Sequence, residues 1–144
     1  MEKLLILDIN SLLNRAYYVQ PLLESSEGTS TNAVYGVINL LVEMKEKMKP
    51  DYIMAAFDSE GSYFRSKEFP EYKSVSNIPE ELKEQIPLIK KLLNLLSINI
   101  FEIDGYEEDD IIYTAVKSSE KNDIEFNIIT AGDNSFNLIS EKVK

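Results

Sequence analysis

The sequence predicts an α/β domain: a mostly parallel central sheet with helices on both faces. Three observations point there. Four short apolar runs, "KLLILD", "DYIMAAFD", "INIFEID" and "IEFNIIT", lack the polar alternation of a half-exposed strand and suit strands buried on both sides. Segments with helical periodicity separate them. A β-α-β-α-β-α-β order favours parallel pairing through right-handed crossovers, with helices covering both faces.

Residues 3–8 form the first strand, ending in Asp8. A short helix over 11–19 follows, and "ESSEGTS" reads as a loop. Thr31 is placed to cap a helix whose apolar side carries Val34, Ile38, Leu41, Val42 and Met48, and Pro50 closes it. The second strand, 51–58, again ends in an aspartate, Asp58. The polar stretch that follows carries Arg65, Lys67 and Lys73. Pro79, with Glu80 and Glu81 behind it, opens a helix running to about Leu96, which Pro87 should kink or divide. A strand at 98–104, a helix at 107–120 with Ile111, Ile112, Ala115 and Val116 inward, a strand at 124–130 and a short helix near 135–140 complete the chain. No internal repeat, linker or low-complexity tract interrupts residues 1–144, which read as one domain.

Composition narrows the chemistry. With neither cysteine nor histidine, disulfides, thiolate metal sites and imidazole bases are excluded. Carboxylates dominate, which favours hard cations held by oxygen. A net charge of −10 argues against a general DNA coat, though not against a nuclease whose ions offset local charge. No run reaches the roughly 20 apolar residues of a membrane span, and the N-terminal apolar run is too short for a secretory signal. A cytoplasmic, nucleoid-associated location and no membrane partner are therefore expected.

Four consecutive carboxylates in "GYEEDDII" need an explanation. Two like charges about 4 Å apart repel by roughly 1 kcal/mol in water and about 4 kcal/mol at an effective dielectric near 20. Ligands of open α/β sheets bind beyond the carboxyl ends of the strands. Asp8, Asp58, the set Glu107, Asp109 and Asp110, and Asp133 each follow a different strand, so they converge on one edge. Glu107 and Asp110 are three apart and share a helix side, with Asp109 beside them. One or two Mg²⁺ or Mn²⁺ ions would relieve the repulsion and assist an in-line attack of water on a phosphodiester. Glu108 reads as an ordinary first-turn cap, because its spacing turns it away from the others.

The chain resembles the N-terminal, resolvase-like half of the 5′–3′ exonuclease domain of bacterial DNA polymerase I, in the flap endonuclease superfamily, whose fold is PIN-like. The resemblance lies in "LLILDINSLLNRAYY", "TNAVYGVINLL", "PDYIMAAFDSEG", "FRSKEFPEYK", "IPEELKEQIPLIKKLLNLLSINIFEIDGYEEDD" and "LISEKV", in family order over essentially the whole chain. It implies metal carboxylates at Asp8, Asp58, Glu107, Asp109 and Asp110. It also implies DNA-contacting residues at Arg15, Arg65, Tyr72 and Lys73, with Arg65 and Lys73 beside the scissile phosphate. Packing for Tyr72 and solubility for Arg65 and Lys73 are the plain alternatives. DNA with a 5′ end or flap, and a linked or associated polymerase domain, are the implied partners.

Three departures temper this. Where the family carries acids after its fourth strand, an ungapped alignment puts Gly132 and Asn134, with Asp133 replacing a lysine. A shift by one would recover Asp133 as a ligand and place Ser135 at the second position. The family continues "YK" with an arginine that "YKSVSNIP" lacks. The family's C-terminal helical half is expected to be absent beyond Lys144. Weak or no cleavage by these 144 residues alone is the expectation. The alternative is a degenerate structural or DNA-docking module beside a polymerase. A phosphatase of the haloacid-dehalogenase type is disfavoured, since Asn10 stands where its second aspartate belongs, and no lysine suits a phosphoacceptor receiver.

Overall fold

A computed structural model describes residues 1–59, 64–72, 78–119 and 121–144. Four strands, β1 (Glu2–Asp8), β2 (Tyr52–Phe57), β3 (Asn99–Glu102) and β4 (Ile124–Ile129), lie in the order β3-β2-β1-β4. Every pairing is parallel. The helices are α1 (Ile9–Val19), α2 (Asn32–Met48), α3 (Phe64–Glu68), α4 (Glu80–Lys83), α5 (Gln85–Leu95) and α6 (Glu108–Ser118). A 3₁₀ helix, Asn134–Leu138, takes the place of the last expected helix.

The central strand β1 is buried on both sides, as its unbroken apolar run requires: Leu5, Ile6 and Leu7 are almost inaccessible. Leu5 and Leu7, with Ala55 and Phe57 of β2, meet residues of α1, α2, α4 and α5. On the opposite face Ile6, Met54, Ala56 and Phe126 pack on Ile111, Ile112 and Val116 of α6. Helices thus cover both faces. The register pairs Asp8 with Ala56 and Leu7 with Ile129, so β1, β2 and β4 end nearly flush. That alignment brings Asp8, Asp58 and Thr130 to one edge of the sheet.

Local departures from expectation have physical causes. Helix α2 buries Val34, Val37, Leu41 and Met44, while Val42 is half exposed, roughly a third of a turn from the centre of that stripe. Thr31 holds the N-cap position of α2, yet its side chain makes no capping bond. The capping acceptor is Gln85 of α5, fully buried, whose Oε1 accepts from Ala33 N–H (2.8 Å) and Val34 N–H (3.1 Å). Its amide donates to Asn32 Oδ1 and Glu81 O, each at 3.0 Å, so all its polar atoms are used. Pro87 does divide its helix: the break falls at Glu84, because the proline has no N–H to give to Lys83 O and its ring crowds that carbonyl. Among the described residues no helix is long and apolar enough to cross a membrane.

Candidate metal centre

The acids at the sheet edge divide into two groups. In the first, Asp8, Glu108 and Asp109 each offer a carboxylate oxygen, and the three atoms lie within 4.8 Å of one another. Asp8 ends β1 and is 2% exposed. Its Oδ1 accepts from Ser11 N–H (3.2 Å) in the first turn of α1, and its Oδ2 accepts from Thr130 Oγ1 (2.6 Å), just past β4. Glu108 and Asp109 are the first two residues of α6. Asp109 Oδ2 accepts from the Asn134 amide at 2.5 Å. Burial raises the Asp109 carboxyl above the ordinary aspartate range, the Asn134 bond opposes this, and the charges of Asp8, Glu107 and Asp58 add to it.

The second group is Glu107 and Asp110, which meet a cation supplied by the protein itself. Arg65 of α3 donates through both guanidinium nitrogens to Asp110, at 2.7 and 2.6 Å, and through Nη1 to Glu107 Oε2 at 2.9 Å. Tyr72 donates its hydroxyl to the same Glu107 oxygen at 2.9 Å. The Asp110 carboxylate raises the Arg65 pKa most, with the Glu107 charge adding and partial burial opposing, so the guanidinium stays protonated. Glu107 and Asp110 also form a capping box at the start of α6, with Asp110 Oδ2 accepting from Glu107 N–H at 3.1 Å. Gly105, at φ 82°, supplies the left-handed turn that delivers Glu107 to this position.

Asp58 lies between the groups: its Oδ1 accepts from Glu108 N–H (3.0 Å), while its own N–H donates to Asn10 Oδ1 (2.9 Å). Asp133 is exposed and outside the three-carboxylate group. Arg15 is exposed two turns along α1 from Asp8. Lys73 falls outside the described residues.

Glu108 is the residue that spacing alone missed. Glu107 is the extended N-cap (ψ 161°), not a helical residue, so helix periodicity starts one position later and Glu108 joins Asp109 beside Asp8. The donor set suits a hard divalent cation: three carboxylates, with Glu108 Oε2 buried and without a hydrogen-bond partner among the described residues.

A parallel sheet whose strand ends gather carboxylates at one edge is the plan of a resolvase-like nuclease fold. Residues 3–144 match the family model of the 5′–3′ exonuclease N-terminal resolvase-like domain, and the chain belongs to that family. It is 40% identical to DNA polymerase I of Bacillus subtilis over 142 residues, which is 98% of this chain and 16% of that one. It is 37% identical over 145 residues to the 5′–3′ exonuclease of Aquifex aeolicus, covering 99% of this chain and 50% of the relative. The chain thus spans at most half the length of these relatives. Among solved structures it resembles the bacteriophage T5 flap endonuclease in a pseudo-enzyme–product complex with DNA and metal ions. That match has a TM-score of 0.70 at 21% identity, over 99% of this chain and 53% of the other. The T5 5′-exonuclease with bound zinc matches with a TM-score of 0.71 at 21% identity, over 99% and 54%.

Proposed function

We propose that this chain is the cation-holding half of a divalent-metal 5′–3′ exonuclease or flap endonuclease. Its substrate is DNA with a free 5′ end or flap, and these residues alone cleave weakly. The observation that carries the reading is the convergence of Asp8, Glu108 and Asp109 within 4.8 Å, one oxygen of Glu108 being buried without a partner among the described residues. These three residues would hold Mg²⁺ or Mn²⁺, with Asp58 fixing the backbone of Glu108 beneath them. When bound, such a cation supplies the positive charge that an in-line displacement at a phosphodiester requires. Asp8 keeps its carboxylate ready through two donors, and Asp109 through one. Arg65, anchored by Asp110 and Glu107, presents a fixed positive charge at the same edge for the DNA backbone. Within the relatives the equivalent segment is continuous with a longer polypeptide, so a second half and a polymerase module are its proposed partners.

A second reading, a non-cleaving DNA-docking module, draws on one observation. Position 134 carries an amide that binds Asp109, where the family pattern has an acid. Calorimetric Mn²⁺ titration followed by a 5′-flap DNA assay separates the two. The nuclease reading expects saturable binding that is lost in Asp109→Ala and weakened in Glu108→Gln, with slow Mn²⁺-dependent cleavage. Binding unchanged by both substitutions would refute the assignment of the centre. Binding without any cleavage, in this chain and in one extended to the length of its exonuclease relative, would favour docking.

A further inference from the structure

We infer that Thr130 is a positioning residue for the metal centre: its hydroxyl fixes the Asp8 carboxylate, and Ser11 holds that hydroxyl's oxygen from behind. This rests on the cation-holding reading above and extends it to the hydroxyls behind Asp8.

Counting protons establishes the direction. Thr130 Oγ1 has one hydrogen, and the 2.6 Å contact to Asp8 Oδ2, a carboxylate oxygen, places it there. The same Thr130 oxygen accepts from Gly132 N–H at 2.9 Å and lies 3.2 Å from Ser11 Oγ. With its own hydrogen committed, Thr130 can only accept from Ser11. The single Ser11 hydrogen is therefore shared between Thr130 Oγ1 and Asp8 O, both at 3.2 Å, while Ser11 Oγ accepts from Ala131 N–H at 3.0 Å. The result is a one-way chain from Ala131 N–H through Ser11 and Thr130 to Asp8.

Asp8 is consequently held at both oxygens, by Ser11 N–H on Oδ1 and by Thr130 on Oδ2. Two donors on opposite oxygens fix both side-chain torsions of an aspartate. Each oxygen keeps a second lone pair, so coordination is not blocked. The chain also ties the segment after β4 to the first turn of α1, and that segment delivers Asn134 to Asp109. Outer hydroxyls that orient a ligating carboxylate typically change metal affinity by about 10–100-fold when removed.

The test is calorimetric Mn²⁺ titration of wild type, Thr130→Val and Thr130→Ser, each checked for cooperative unfolding in urea. Valine keeps the shape and deletes the donor; serine restores it. The expected result is affinity about 10–100-fold weaker for Thr130→Val and within roughly threefold of wild type for Thr130→Ser. A purely packing role predicts the reverse, since valine fills the site and serine leaves a methyl-sized gap. Wild-type affinity in a folded Thr130→Val overturns the inference, as does a Thr130→Ser as weak as valine. If Thr130→Val does not fold, Ser11→Ala decides: a weakening of about threefold or more supports the chain, and unchanged affinity overturns it. Absence of saturable binding in the wild type would fell the cation-holding reading itself, and this inference with it.

Discussion

Replacing Asp109 with Asn should stabilise the metal-free protein while destroying its cation site. Asp109 has a carboxylate oxygen within 4.8 Å of oxygens on both Asp8 and Glu108. At that separation each like-charge pair repels by about 0.9 kcal/mol in water and about 3.5 kcal/mol at an effective dielectric near 20. The site is partly open, so screening pulls the total toward the lower bound, and the bond from Asn134 survives because the new amide oxygen accepts it. A gain of roughly 1–2 kcal/mol at pH 7 in EDTA and low salt follows. Its pH dependence has a definite sign. The Asp109 carboxyl is raised in the fold, chiefly by burial and further by its acidic neighbours. Wild type therefore carries a penalty above that raised value, which fades as pH falls through it toward the ordinary aspartate value of about 3.9. Urea unfolding of both proteins between pH 8 and pH 3 would show the curves converge at the acid end. Saturating Mn²⁺ should reverse the order, because a ligand at 100 times its dissociation constant adds about 2.7 kcal/mol to the wild type alone. A metal-free Asp109→Asn less stable than wild type at pH 7 would refute the electrostatic reasoning.

Two further outcomes test the scaffold. Gln85→Leu keeps the volume but leaves Ala33 N–H, Val34 N–H and the Asn32 carbonyl oxygen without their buried partner. It should cost about 3 kcal/mol and lower Tm by roughly 10 °C in calorimetry, and a shift under about 2 °C would sink the assignment of Gln85 as the cap of α2. Gly36→Ala places a Cβ 2.8 Å from Ala16 Cβ, so helix crossing outweighs helix propensity. A net loss of about 1–2 kcal/mol is expected by urea titration, and a gain would show that α1 and α2 separate freely.

The sheet was legible because parallel strands advertise themselves: four apolar runs gave four strands, with ends within a residue or two. The acidic residue types at the edge were legible for the same reason, since each follows a strand. What sequence could not supply was contact between distant residues. The cap of α2 comes from Gln85, about fifty positions away, so Thr31 looked sufficient. Arg65 meets Asp110 across 45 positions, and nothing local to "GYEEDDII" reveals that two of its acids have a guanidinium partner. Glu108 joins Asp8 only through a contact 100 positions apart in sequence, which helix spacing does not show. The hydroxyl chain through Thr130 and Ser11 left no trace in residue spacing, since it exists only once β1 and β4 lie side by side.

The place of β1 in the sheet has a consequence for how the protein is made. Synthesis proceeds from the N-terminus, so Asp8 is translated before the hydroxyl that orients it, which belongs to a residue 122 positions later. β1 first acquires β2, and must keep its other edge bare until β4 has been translated. At about 5–20 residues per second, that interval lasts on the order of ten seconds. An apolar strand with an open edge is a template for mispairing throughout that time. Ribosome-bound nascent chains are therefore exposed to mispairing between completion of β2 and completion of β4, and the metal centre cannot take shape until Thr130 has followed β4 out of the ribosome.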